Sequence, residues 1–273
     1  MECLEKIFNV KDKVIAIIGA TGILGREYVD ILCACQAKVI IGDYIFESCT
    51  LLADKMKTKY ANVDVLPLKI DITNENDIST FFNDIVKSYG KLDVLINNAQ
   101  IKTDGFYASF ENYTKQTLMT LLDGNLAGVV LSCQHACKIF LKQGYGNIIN
   151  VSSIYGNVGS DQRLYENVKN IYYHDQPFSS PVSYAVTKAG ILNLTRYLAS
   201  YYREKNIRVN TLTPGGVFDN HDENFLKNYS YRTLLGRMAD RRDYNGAIVF
   251  LASDASSYMT GANLIIDGGW TAI

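Results

Sequence analysis

The chain is predicted to fold as one doubly wound α/β domain, a seven-stranded parallel sheet with helices on both faces. Three observations carry that reading. Short apolar runs alternate with longer helical patterns along the 273 residues. The runs are continuous in Val, Ile and Leu rather than interleaved with polar residues. A glycine-rich turn joins the first run to the first helix. Continuous apolar runs are what strands look like when both faces are covered, and strand–helix alternation gives right-handed crossovers and one parallel sheet.

The elements follow in order. Val14 to Ile18 reads as a buried strand, Gly22 to Cys35 as a helix and Lys38 to Gly42 as the second strand. Glu47 to Tyr60 is helical, Val63 to Leu68 a strand, Ile78 to Tyr89 helical and Leu92 to Ile96 a strand. One long helical region runs from about Tyr113 to Leu141, followed by a strand at Asn147 to Val151. A helix at about Val182 to Arg203, a strand at Arg208 to Leu212, a helix at about Tyr244 to Leu251 and a strand at Asn263 to Ile266 complete the pattern. No repeat and no Pro/Gly/Ser linker divides it, so residues 1–273 are read as a single domain. Two stretches break the rhythm. Residues 156–181 are long, polar and rich in tyrosine, and residues 215–234 follow a Pro-Gly pair. Long loops inside a compact domain are often lids or binding loops, although a plain surface insertion has the same look.

Composition narrows the function classes. Forty-eight per cent of residues are hydrophobic and 20% are charged, which excludes wholesale disorder. Lys plus Arg is 27 and Asp plus Glu is 28, a net charge of −1, so no basic excess points to nucleic acid or an anionic membrane. The six cysteines, Cys3, Cys33, Cys35, Cys49, Cys133 and Cys137, form no C-x-x-C pair and are read as reduced thiols. Cys133 and Cys137 share a helix face, but no nearby group completes a metal site, so no metal is expected. The N-terminus has no signal-like apolar core, and the longest uncharged stretch, Gln143 to Ser160, is too rich in Gly, Asn and Ser to span a bilayer. A soluble cytoplasmic protein is expected.

Gly19, Gly22 and Gly25 sit where the first strand meets the first helix. Such a turn lets backbone N–H groups approach a pyrophosphate at a helix N-terminus, though tight helix–strand packing also calls for glycine. Asp43 ends the second strand, where a carboxylate accepts both adenosine ribose hydroxyls and repels a 2′-phosphate. The next residue is Tyr44, not Arg or Lys. NAD is therefore predicted over NADP. Tyr184 and Lys188 are one helical turn apart and share a face. A phenol titrates near pKa ~10, so acid/base work near neutrality needs about 4 kcal/mol in favour of its anion. A neighbouring ammonium and the positive nicotinamide ring are suited to that. Taken alone, the same spacing describes an ordinary surface Tyr–Lys pair.

Several motifs accompany it in order. Asn97-Asn98-Ala99-Gln100 follows the fourth strand and Asn125-Leu126-Ala127-Gly128 lies within the long helix. Asn150-Val151-Ser152-Ser153 ends the fifth strand. Arg208-Val209-Asn210 precedes Pro214-Gly215-Gly216-Val217, and Tyr258-Met259-Thr260-Gly261 precedes Asp267-Gly268-Gly269. Over nearly its whole length the sequence resembles the short-chain dehydrogenase/reductase family. The resemblance implies a Rossmann-type domain, NAD-dependent exchange of a secondary alcohol with a ketone, and a homotetramer. It implies Tyr184 as acid/base, Lys188 holding the nicotinamide ribose and lowering the phenol pKa, Ser153 binding the substrate oxygen, and Asn125 holding a relay water. Ser153 is preferred to Ser152 because the family's serine is the second of the pair. The resemblance further implies that Gly19, Gly22, Ile23, Leu24 and Gly25 meet the cofactor with Asp43. Asp71 and Ile72 would contact the adenine, Asn98 and Ala99 would lie along the cofactor, and Pro214, Gly215 and Val217 would lie at its nicotinamide end.

Four departures stand out. Ile18 replaces the usual Thr, with the glycine spacing of the extended subfamily. Gln100 replaces the last glycine of N-N-A-G. Phe218 and Asp219 replace the expected Thr contact. Ser153 and Tyr184 lie 31 positions apart, so the insertion must border the active-site mouth. Gly144 to Gly156, Tyr165-Glu166-Asn167, Pro181 to Tyr184 and Pro214 to Asn220 resemble oxidoreductases of flagellin modification and surface-sugar biosynthesis. A sugar or sugar-phosphate substrate is implied, with Arg163, Lys169 and His174 as candidate anion contacts or plain solvated charges. A nucleotide-sugar epimerase or dehydratase that retains NAD, and a catalytically silent NAD-binding protein, are the competing readings.

Overall fold

The computed structural model describes residues 2–170, 172–173 and 178–273, without the side chains of residues 2 and 3. Strands β1 (Val14–Ile18), β2 (Lys38–Asp43), β3 (Asp64–Lys69), β4 (Val94–Asn97), β5 (Gly146–Val151), β6 (Ile207–Pro214) and β7 (Asn263–Ile266) form one sheet. Its order is β3-β2-β1-β4-β5-β6-β7 and every pairing is parallel. In register, Ile15 of β1 faces Val39 of β2 on one side and Val94 of β4 on the other.

The helices are α1 (Glu2–Ile7), α2 (Ile23–Ala34), α3 (Phe46–Lys59), α4 (Glu75–Tyr89), α5 (Lys115–Leu122), α6 (Gly128–Gln143), α7 (Ile154–Asn157), α8 (Val182–Tyr201), α9 (Glu223–Arg232) and α10 (Asn245–Ala252). Side chains alternate across a strand, so β1 feeds two cores. Ile15 and Ile17 pack with Tyr28 and Leu32 of α2 and Ile248 of α10. Val14, Ala16 and Ile18 pack with Phe81 and Phe82 of α4 and Val129 of α6. This two-sided burial is why β1 carries no polar residue. Each such fully buried aliphatic side chain contributes about 1.5–3 kcal/mol of transfer free energy. Pro67 interrupts β3, which an edge strand tolerates.

Three details differ from the sequence-based expectation. The long helix expected over Tyr113 to Leu141 is α5 and α6 joined by a π turn at Asp123–Ala127. A one-residue widening of the helix leaves the apolar spacing nearly intact, so periodicity does not register it. Residues 215–234 are not only loop, because α9 lies within them, started by Asp222, whose carboxylate accepts the N–H groups of Asn224 and Phe225. The N-terminal segment contributes the short α1, which pattern alone did not suggest.

The connection out of β1 runs to β2 and the chain later returns across the sheet to β4. Strand order reverses between those neighbours, and the crevice at their carboxyl ends is where doubly wound sheets take ligands.

Candidate active site

The first turn is built from β1 outward. Gly19 has φ +83°, a left-handed conformation, and a Cβ there would lie 2.5 Å from the backbone of Ala99. Gly25 is also packed, because its Cβ would collide with the Gly19 carbonyl and with Ala20. Gly22 is different. A Cβ there would meet only the Gly19 oxygen, at 3.5 Å. Protein packing thus accounts for Gly19 and Gly25 but not for Gly22, which caps α2 without any side-chain acceptor. The first-turn N–H groups of α2 are left for an anion, which the helix end favours.

Beside this turn is a cleft of about 490 Å³. Gly19, Gly22, Ile23, Leu24, Asp43, Asp71, Ile72, Asn98 and Ala99 all line it. Asp43 accepts from the Thr21 N–H at 2.9 Å and the Thr21 hydroxyl at 2.8 Å, and from the Tyr44 N–H at 2.8 Å. Thr21 was not singled out in the sequence, although it lies within the glycine turn. Asp71 accepts from the N–H and hydroxyl of Thr73, which orders the loop after β3. The Asn98 amide donates to the Gly19 carbonyl at 2.8 Å and ties the β4 end to the turn. The donor set, an anion-ready helix end with a carboxylate at the tip of the next strand, fits a dinucleotide with free ribose hydroxyls.

Gly25 faces the helix–strand junction rather than the cleft. Pro214 ends β6, and Gly215 lines a separate hollow of about 170 Å³. Val217 bridges to Ala239 and packs on the core beneath α10. These three are grouped away from the turn, on the β6 side of the edge.

The residues expected to react meet at the end of β5 and the start of α8. Lys188 is buried, and its Nζ donates to the Val151 carbonyl at 2.9 Å. It lies 5.8 Å from the Tyr184 ring centre. Burial pulls the Lys188 ammonium down to about 8. Burial also pushes the Tyr184 phenol up, opposed by a hydrogen bond with Ser153. In the protein by itself, then, the neighbouring lysine does not offset the cost of burying a phenolate. Ser153 caps α7 by accepting the Tyr155 N–H, while Ser152 donates its hydroxyl to the Lys188 carbonyl at 2.8 Å. The first serine secures the lysine's backbone, and the second faces the tyrosine.

Asn125 lies in the π turn. Its side chain accepts from the Ile101 N–H at 2.7 Å and donates to the Ile101 carbonyl at 3.0 Å. Both ends of the amide therefore hold the backbone of one residue of the loop after β4, its N–H and its carbonyl.

A second cavity of about 720 Å³ opens beyond Tyr184, and Gln100 and Lys102 line both it and the cleft. Its walls include the insertion. Tyr165 stacks on Phe225 of α9 with ring centres 5.4 Å apart, and Tyr155 and Tyr165 share a hydroxyl contact at 3.3 Å. Asn224 and Asn228 of α9 donate to the carbonyls of Asn167 and Leu164, and Arg232 lies 3.7 Å from Asp161. Insertion and α9 are thereby joined into one wall. Of the candidate anion contacts, Arg163 is 75% exposed and paired with Asp161 at 2.7 Å, Lys169 lines the cavity, and His174 lies outside the described residues. Cys133 and Cys137 are buried in the core, where Cys133 accepts from the Asn97 amide, and the side chain of Cys3 lies outside the described residues.

Known proteins are similar to this chain over most of its length. A family model described as Enoyl-(Acyl carrier protein) reductase matches residues 19–271. Post-translational flagellin modification protein A of Campylobacter coli is 31% identical over 262 residues, covering 96% of this chain and 99% of that protein. Trans-4-hydroxycyclohexanecarboxylate dehydrogenase of Sinomonas cyclohexanicum is 34% identical over 269 residues, covering 97% and 95%. The crystal structure of a short chain dehydrogenase from Leptospira borgpetersenii with bound NAD+ superimposes with a TM-score of 0.81 at 34% identity, covering 96% of this chain and 94% of that one.

Proposed function

Because this chain belongs to the short-chain dehydrogenase/reductase family, whose members act on alcohols and ketones, we propose that it is an NAD(H)-dependent oxidoreductase interconverting a secondary alcohol and its ketone. The substrate proposed is a sugar or sugar-phosphate intermediate of surface-glycan biosynthesis. The observation that carries this reading is the meeting of Ser153, Tyr184 and Lys188, with Tyr184 lining a cavity that shares Gln100 and Lys102 with the cleft beside the glycine turn.

Members of the family use NAD or NADP. NAD is favoured here by Asp43, whose carboxylate would repel a 2′-phosphate while accepting ribose hydroxyls. Gly19, Gly22, Ile23 and Leu24 would hold the pyrophosphate end, and Asp71 and Ile72 the adenine. Asn98 and Ala99 would lie along the dinucleotide, and Pro214, Gly215 and Val217 would be near its nicotinamide. When bound, the cofactor supplies the hydride acceptor or donor. The chain's own residues handle the proton and the positioning. Ser153 orients the substrate oxygen by hydrogen bonding. Tyr184 takes the hydroxyl proton in oxidation and returns one in reduction. Lys188, anchored on the Val151 carbonyl, keeps positive charge beside the phenol. Asn125 fixes Ile101 and so the loop that roofs the cleft, and its backbone is the proposed holder of the relay water.

The relationship to a flagellin-modification protein supports a sugar-derived substrate, and that to a hydroxycyclohexane dehydrogenase supports a ring alcohol. The five described cysteines are free, in keeping with a cytoplasmic location. Among the described residues no helix is long and apolar enough to cross a membrane. Residues 1–273 are proposed to act as one domain within a homotetramer, and light scattering at monomer mass would contradict the assembly.

The test is NADH formation at 340 nm with a panel of sugar phosphates and polyols, NAD and NADP side by side. Turnover with NAD, reduced at least ~100-fold in Tyr184→Phe, is expected. No turnover across the panel, or an unaffected Tyr184→Phe protein, would remove the proposal.

A further inference from the structure

The cavity beyond Tyr184 has an unusual lining for a site that takes a polyhydroxylated molecule. One wall is continuous aromatic surface contributed by three separate segments. Tyr107, from the loop after β4, stacks on Tyr172 of the insertion with centres 4.2 Å apart and planes inclined by 11°. Phe178 lies 5.4 Å from Tyr107 and 5.3 Å from Tyr165. Tyr165 in turn stacks on Phe225 of α9. Flat ring faces of this kind receive the apolar face of another ring, either a carbocycle or the C–H face of a sugar, and exclude water around it.

The cavity is lined by equal numbers of positive and negative side chains, but the two signs are engaged differently. Among the described residues its charged lining groups are Lys102, Lys169, Asp219 and Asp222. Asp219 is already paired with Arg241 at 2.9 Å. Asp222 is committed to the N-terminus of α9, where it accepts two backbone N–H groups. Burial lowers the His221 imidazole, which leaves it neutral near pH 7. Lys102 donates to the neutral Tyr107 hydroxyl at 2.9 Å, and no carboxylate among the described residues pairs with it or with Lys169. Both lysines line the cavity. Lys102 sits over the Tyr107 ring at 5.4 Å, Tyr107 stacks on Tyr172, and Lys169 precedes Tyr172 by three positions in the sequence. The lining therefore carries two lysines without a carboxylate partner among the described residues, beside an aromatic wall.

We propose that Lys102 and Lys169 form an anion subsite in the lining of this cavity, so that the substrate is a ring-shaped secondary alcohol bearing a carboxylate or phosphate away from its reacting carbon. The inference rests on the dehydrogenase reading and selects within it, favouring a charged ring over a neutral polyol. It assigns the ring to the Tyr107–Phe178–Tyr165 surface and the reacting oxygen to Ser153 and Tyr184.

The experiment is calorimetric binding to the full-length protein, with and without saturating NAD, using two matched pairs. One is cyclohexanecarboxylate against cyclohexanecarboxamide, and the other glucose 6-phosphate against glucose. Two partly solvated ion pairs are each worth up to about 1 kcal/mol, so the anionic member of at least one pair should bind roughly five- to thirtyfold more tightly at low salt. That advantage should shrink in high salt. It should vanish in the Lys102→Met/Lys169→Met protein, whose side chains keep the stems and whose melting temperature reports intact folding. The pair that shows the advantage distinguishes a carboxylate from a phosphate. Equal or tighter binding of the neutral member in both pairs, no detectable binding of either anion, or a preference that survives in the double variant would each overturn the proposal. Failure of the dehydrogenase reading is separate, since it would appear as no NAD binding and no NADH formation.

Discussion

Lys188→Met is expected to make the protein more stable at neutral pH while removing its activity. The ammonium is buried, and burial holds it at about 8 against an ordinary value of 10.5. That gap corresponds to about 3 kcal/mol of unfavourable free energy in keeping the charge inside the fold. The folded value is the lower one. Below about pH 8 both states carry the proton and the whole penalty stands. Between about 8 and 10.5 the unfolded chain holds a proton that the fold has released, so stability contributed by this residue climbs with pH. Methionine fills a similar volume without charge, but it leaves the Val151 carbonyl without its donor, at a cost of about 1 kcal/mol. The net gain at pH 7 is about 2 kcal/mol, or roughly 4 °C in Tm for a chain of this size. Near pH 10 the gain should disappear and reverse by up to about 1 kcal/mol as the lysine becomes neutral and keeps its hydrogen bond. Urea unfolding of both proteins at pH 7 and pH 10 measures this directly. A variant less stable at pH 7, or a difference that does not change with pH, would refute the assignment of Lys188 as a strained buried cation. Oxidation of alcohol by the variant should fall at least ~100-fold.

The remaining predictions concern the cofactor cleft and the β6 end. Asp43→Ala should weaken NAD binding by about ten- to a hundredfold and narrow the preference over NADP, as read by titrating both nucleotides, because hydrogen bonds to a charged group are worth about 1.5–3 kcal/mol. Gly25→Ala should destabilise the fold by about 1–3 kcal/mol, since its Cβ would press on the Gly19 carbonyl and Ala20, whereas Gly22→Ala should melt nearly as the parent does and lose dinucleotide affinity. A Gly22→Ala protein that binds NAD normally would place the pyrophosphate elsewhere. Tyr229→Phe keeps the stacking on Trp270, at 4.5 Å between centres, but removes the oxygen that accepts the Gly216 N–H. Losing the acceptor of a part-buried N–H costs about 1 kcal/mol, so a Tm drop of a few degrees is expected, and none would show that another acceptor replaces it.

The alternation of strands and helices, the glycine turn, Asp43 at the tip of β2 and the Tyr184–Lys188 pair were all legible in the sequence. Each depends on local spacing or on two-sided burial, and both leave a direct pattern in residue order. Other features rest on contacts between residues far apart in the chain. Ser152 and Ser153 are adjacent, yet only the packing of α8 against β5 gives one hydroxyl to the Lys188 carbonyl and sets the other toward Tyr184. Asn125 also makes a contact of this kind, since its amide pairs with the backbone of Ile101, which the π turn brings beside it. The burial that shifts Lys188 and Tyr184 belongs to the whole surround rather than to either residue. The aromatic cavity is assembled from the β4 loop, the insertion and α9, three segments whose sequences show tyrosines and phenylalanines but no periodicity that would bring them together. Local sequence thus specified the elements and the Tyr184–Lys188 pair, whereas the environment of that pair and the walls of the aromatic cavity came only from long-range packing, because solvation and ring stacking are properties of neighbours in space.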